Sequence, residues 1–165
     1  MPGAGIAPGE FSGVLLSNGC MPSISRSALL PYSAARVFAL VDDIAAYPRY
    51  MQGCLAAEVL ERQESSVTAR LTLGKAGLRY SFTTRNALQP PHMMTMQLVE
   101  GPFRKFNAVW RFEPLSDNAC KASFDLQFEF SAGLIDAALA TLFESTGSEM
   151  VSAIASRAEQ VYGKP

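Results

Sequence analysis

Residues 41–54, VDDIAAYPRYMQGC, hold the densest set of reactive side chains in the chain: two adjacent carboxylates (Asp42, Asp43), two phenols (Tyr47, Tyr50) and a thiol (Cys54). Acid–base or nucleophilic chemistry needs such a group held against a partner. For Cys54 the partner would be a histidine able to draw off the thiol proton. His92 is the sole histidine. It follows Pro90-Pro91 in a segment that reads as a solvated turn, and no spacing brings it to Cys54. The sequence has no C-x-x-C pair, histidine cluster or D-x-D spacing to hold a metal, and no glycine-rich loop to cradle a nucleotide. Asp42 and Asp43 fall late in a helix whose apolar face is Val37, Leu40, Val41 and Ile44, which turns both acids toward solvent or neighbouring caps. The stretch reads as a lid, with Tyr47, Tyr50 and Met51 forming a flap and Pro48 fixing a break. The expectation is a protein that is not an enzyme.

The elements that must position this lid come from the rest of the chain. The 165 residues are 48% apolar and 18% charged, which suits one globular domain. Fourteen basic against fifteen acidic residues leave a net charge of -1, so no DNA-binding footprint is expected. No apolar run approaches the ~18 residues that span a bilayer. Cys20, Cys54 and Cys120 lie far apart, an odd and scattered set that fits a reducing, cytoplasmic compartment. Residues 1–20 are rich in Gly and Pro and contain no Lys or Arg, unlike a secretory or mitochondrial leader. They are expected to be a disordered extension, with residues 21–165 forming the single domain and Met21 its functional start.

Ser23 to Leu30 reads as a strand closed by Pro31, and Ser33 as an N-cap. Alternation at period two then takes over at Val67–Leu73, Leu78–Thr84, Met94–Leu98, Phe106–Phe112 and Cys120–Phe130, with turn-like links at residues 74–77 and 116–118. One face is buried and the other wet, as in an antiparallel sheet. Ile135, Leu139, Leu142, Thr146, Met150, Ile154, Ala158 and Val161 form one face of a long helix, with Gly147 marking a bend or a close approach. The predicted architecture is α+β: a curved antiparallel sheet of about seven strands gripping a long C-terminal helix, with a short helical pair after the first strand. The side chains aimed into that grip (Phe82, Met94, Met96, Trp110, Phe128, Met150), with Leu40, Ile154 and the flap residues Tyr47 and Tyr50, either pack solid or line a space for an apolar ligand. Arg157, beside the apolar stripe, is either a surface arginine or a polar anchor for a head-group carbonyl. Arg104 and Lys105 form a small basic turn, solvated or set to meet phosphate on lipid or RNA.

The segments ISRSALLPYSAARVFALVDDIAAYPRYMQGC, KAGLRYSFTTRN, LVEGPFRKFNAVWRFEPL and FDLQFEF, in that order, resemble the START-like coenzyme Q-binding family within the polyketide cyclase-like superfamily. The resemblance covers about Pro22 to Tyr162. It implies the helix-grip (START/Bet v 1-like) fold and non-enzymatic binding of ubiquinone or a related isoprenoid lipid in a hydrophobic tunnel, in support of respiratory electron transport or quinone biosynthesis, with peripheral contact to the inner membrane. Bacterial members described as ribosome association toxins imply a different role, binding the large ribosomal subunit and blocking subunit association. Cyclase-like chemistry on the same fold is a minor alternative.

Overall fold

The computed structural model describes residues 15–16, 22–133 and 137–165. Cys20, Met21 and Ile135 therefore lie outside the described residues, as does the expected extension apart from Leu15–Leu16. Those two residues form strand β1, paired antiparallel with β2 (Pro22–Leu30) through Leu15 opposite Ser23 and Leu16 opposite Pro22. Helix α1 (Ala34–Asp42) follows, its Ser33 cap accepting a hydrogen bond from the Arg36 amide at 3.2 Å. A 3-10 helix (Ile44–Arg49) comes next, with Pro48 inside it.

Six strands run as a meander from there: β3 (Cys54–Arg62), β4 (Ser66–Lys75), β5 (Leu78–Gln89), β6 (Met93–Glu100), β7 (Phe103–Ser116) and β8 (Ala119–Phe130). The sheet order is β1-β2-β8-β7-β6-β5-β4-β3, antiparallel throughout. The β4–β5 link is tight, with Ala76 and Gly77 both at positive φ (55° and 85°), as a twist-matched two-residue turn requires. Besides the two-residue β1, β3 is the strand that the sequence pattern did not announce. It is an edge strand with Leu55, Val59 and Leu60 exposed, so no alternation marks it. Arg104 and Lys105 are not in a turn but in the opening residues of β7, exposed on its outer face.

The long helix is two helices. α2 (Ala137–Ser148) and α3 (Met150–Tyr162) are separated at Glu149, whose amide bonds back to Ser145 and Thr146 carbonyls at 3.1 and 3.2 Å. Gly147 marks a close approach as well as the bend: a Cβ there would sit 3.2 Å from both Ile24 Cδ1 and Leu126 Cδ2. Of the expected stripe, Leu139, Met150, Ile154 and Ala158 are buried, and the buried face extends beyond it. Phe143, Gly147 and Val151 are buried, whereas Val161 is exposed.

α2 touches both β2 and β4. Five inter-strand steps separate those strands, about 24 Å if the sheet were flat. A helix is only about 10–12 Å across with its side chains, so the sheet must curl around α2. Register shifts at Thr83/Thr84 and Phe103/Lys105 supply local bends. Phe143 plugs one part of the grip, with ring centroids 4.9 Å from Phe103 and Phe128 and 5.5 Å from Phe130. Tyr32 and Tyr162 donate to the Gly163 and Arg36 carbonyls at 2.8 and 3.0 Å, fastening the end of α3 to the start of α1.

Candidate functional site

The flap is built by local backbone bonds around Pro48. The Tyr50 and Met51 amides both donate to the Tyr47 carbonyl, at 3.1 and 2.8 Å, and the Tyr47 hydroxyl reaches back to the Val41 carbonyl at the end of α1. Asp42 is held at that same helix end by Arg62, 3.0 Å away, and Asp43 is exposed. Both acids are accounted for as structural or solvated groups. At the far end of the flap Gly53 has φ +87°, and α2 lies directly over it. A Cβ there would come within 2.9 Å of Leu142 Cδ1, and the Thr146 hydroxyl donates to the Gln52 carbonyl at 3.4 Å. The flap therefore closes onto the junction of α2 and α3.

Two spaces meet at that junction. Inside is a void of about 50 Å³ whose lining, drawn from the flap, β3 to β8, α2 and the start of α3, is almost wholly apolar; it includes Leu71, Phe82, Met96, Leu126 and Phe143. Outside is a groove of about 450 Å³ between the flap and α3, bounded by Tyr50, Gln52, Glu149, Ser152, Ser156, Arg157 and Gln160. Met51, Thr146 and Met150 belong to both linings and form the partition between them.

Of the residues singled out by sequence, Tyr47, Phe82, Met96 and Met150 line the void, and Tyr50, Met150 and Arg157 line the groove. Leu40, Trp110, Phe128 and Ile154 do not line either space. They are packed into the surrounding core; Trp110 stacks 5.7 Å from Phe112 and lies tilted 4.8 Å from Phe124, itself a void-lining ring. Arg104 lies 3.2 Å from Glu129, and Lys105 is registered opposite that same residue, so neither belongs to this site. His92 is exposed at the β5–β6 turn, away from the void that Cys54 lines. Leu71, Phe143 and Thr146 also line the void. Leu71 carries a signal in its strand's alternation and Thr146 in the helical stripe, whereas Phe143 lies off that stripe.

The chemistry of the site is muted. Burial pushes the Cys54 thiol up to about 11, opposed by its contact with the Ala56 carbonyl, so it stays protonated at neutral pH. Burial likewise holds the Tyr47, Tyr50 and Tyr80 phenols well above their ordinary range, Arg157 pulling Tyr50 partly back. The Arg157 guanidinium sits 5.1 Å over the Tyr50 ring. The Tyr50 and Tyr80 hydroxyls and the Trp110 indole N–H are buried with no hydrogen-bond partner among the described residues. No group of three His, Cys, Asp or Glu among those residues is placed to hold a metal ion.

A model of the family described as polyketide cyclase / dehydrase and lipid transport matches residues 30–155. The chain is 43% identical over 152 residues to the ribosome association toxin RatA of Escherichia coli K12, covering 92% of this chain and 96% of that one. It is 26% identical over 144 residues to the mitochondrial coenzyme Q-binding protein COQ10 homolog B of Xenopus laevis, covering 85% of this chain and 59% of that one. Among solved structures, the Zhui aromatase/cyclase from Streptomyces sp. R1128 superposes with a TM-score of 0.74 over 86% of this chain and 95% of that one. At 18% identity that likeness speaks to the fold alone.

Proposed function

The chain belongs to the polyketide cyclase / dehydrase and lipid transport family, and on that premise we propose that it binds an isoprenoid lipid of the polyprenylated-quinone class, ubiquinone above all, without transforming it. The observation that carries the reading is the apolar void beneath the partition of Met51, Thr146 and Met150. Its 50 Å³ is well below the roughly 150 Å³ that admits a benzene ring. Entry therefore requires the partition to move. Two of its three residues are methionines, whose three rotatable bonds suit repacking around a guest, and they stand at a helix break. Burying about 200 Å² of isoprenoid surface would contribute ~5 kcal/mol before the costs of association. The non-enzymatic reading is supported by a lining in which the Cys54 thiol is protonated and, among the described residues, no acid–base pair faces the void. The choice of a quinone is supported by the relative named as coenzyme Q-binding.

Such a carrier works in the cytoplasm and meets the inner membrane peripherally. No helix among the described residues is long and apolar enough to cross a bilayer. The test is titration of the purified protein with a short-chain ubiquinone while following Trp110, the only tryptophan, whose ring lies 4.8 Å from the void-lining Phe124. Saturable quenching at about one quinone per chain is expected; no quenching up to the solubility limit would remove the reading.

A second reading, binding to the large ribosomal subunit, is favoured by the 43% identity to a protein named ribosome association toxin. With a net charge of -1, affinity for RNA would have to come from a local patch. Arg104 and Lys105 are exposed, although Glu129 offsets part of their charge. Co-sedimentation with large subunits, lost when both are changed to alanine, is the expected outcome. Protein that stays at the top of the gradient at low salt would exclude it.

A further inference from the structure

The outer groove has a chemistry that the void lacks. We infer that it is a head-group site, taking a neutral ring that carries carbonyl or ether oxygens while the apolar tail passes the partition into the void. This rests on the carrier reading above and adds the ligand's orientation to it. The groove is about nine times larger than the void, and the two share Met51, Thr146 and Met150, so one molecule lying across the partition would occupy both. Its donors outnumber its fixed charges. Arg157 spends one N–H on Gln160 Oε1 at 3.4 Å, a long bond, out of five available. Tyr50 lines the groove, and its hydroxyl, buried beneath the ring's exposed part, has no hydrogen-bond partner among the described residues. Ser152, Ser156 and Gln52 add neutral donors. Among the described residues, Arg157 and Glu149 are the only charged groups lining the groove, one of each sign, which disfavours a phosphate head and suits a neutral acceptor-bearing ring. The guanidinium already lies over the Tyr50 ring, giving a flat surface against which a second ring can stack.

The test uses the full chain and two probes, a ubiquinone with two isoprene units and the hydrocarbon matching its tail, each displacing N-phenyl-1-naphthylamine. Arg157→Gln is expected to weaken the quinone roughly tenfold, the loss of a charged hydrogen bond, and to leave the hydrocarbon unchanged. Ser156→Trp, at an exposed helix position that faces the groove, should do the same by obstruction. Thermal unfolding of both variants checks that the fold is kept. If the quinone binds both variants as tightly as the unaltered protein, the head lies elsewhere: the inference fails and the carrier reading stands. If neither probe displaces the dye from the unaltered protein, the carrier reading fails and takes the inference with it.

Discussion

Ala108→Phe and Leu71→Phe place the same ring at two inward positions of the sheet, and the structure assigns them opposite outcomes. Ala108 is fully buried in register between Met96 and Leu126 and does not border the void. A ring forced into that filled position strains its neighbours, at a cost of about 3 kcal/mol. For a domain of this length that lowers Tm by about 6–12 °C. Leu71 borders the void. Filling the 50 Å³ space recovers at most ~1 kcal/mol, at roughly 24 cal/mol per Å³. Any strain subtracts from that gain, so Tm should stay within about 4 °C of the unaltered protein. Circular-dichroism melts and urea titrations measure both. Quinone titration on the stable Leu71→Phe protein should then show loss of uptake, because the space has been taken. A neutral Ala108→Phe, or a Leu71→Phe as damaging as Ala108→Phe, would refute this division into filled and open interior.

Tyr47→Phe should cost ~1–2 kcal/mol by urea denaturation, since it strips the buried Val41 carbonyl of its hydroxyl donor; an unchanged midpoint would mean that the flap is not pinned there. Arg62→Ala should cost less than about 1 kcal/mol, because the ion pair with Asp42 is partly exposed and screened. For Cys54 the folded thiol titrates at about 11, above its unfolded value of about 9, so the unfolded chain releases its proton first. Any stability linked to that thiol is intact below pH 9 and declines as pH rises from 9 to 11. In the native protein Cys54, followed by peptide mapping, should also resist iodoacetamide at pH 8 and react in urea; rapid labelling of Cys54 at pH 8 would contradict its burial.

Much of the fold was legible because burial leaves a period-two imprint. Val67, Ala69 and Leu73 on β4, and Cys120, Ala122, Phe124, Leu126 and Phe128 on β8, face inward as their alternation indicates. The Ser33 cap and the Pro48 break were equally readable, since each acts through its own backbone. β3 was not, because an edge strand solvated along most of its length has no face to alternate. The site was legible only as a direction. Phe82 and Phe128 are both inward aromatics in contact with Phe143, yet only Phe82 borders the void. That difference depends on how tightly the sheet curls around α2 and where the helix breaks, and neither distance is written in residue type. Arg157 could be placed at the site only once the flap had brought Tyr50 beneath it.

The most direct measurement is mass spectrometry of the organic extract of protein purified from its native host. A void lined almost wholly by apolar groups, Met51 and Met150 among them, should retain an isoprenoid lipid through purification, since water has little to offer such a tail. The expected result is a polyprenylated quinone recovered in proportion to protein and lost from the Leu71→Phe variant. An extract free of isoprenoid lipid, or one whose lipid content is the same in Leu71→Phe, would contradict ligand binding in this interior.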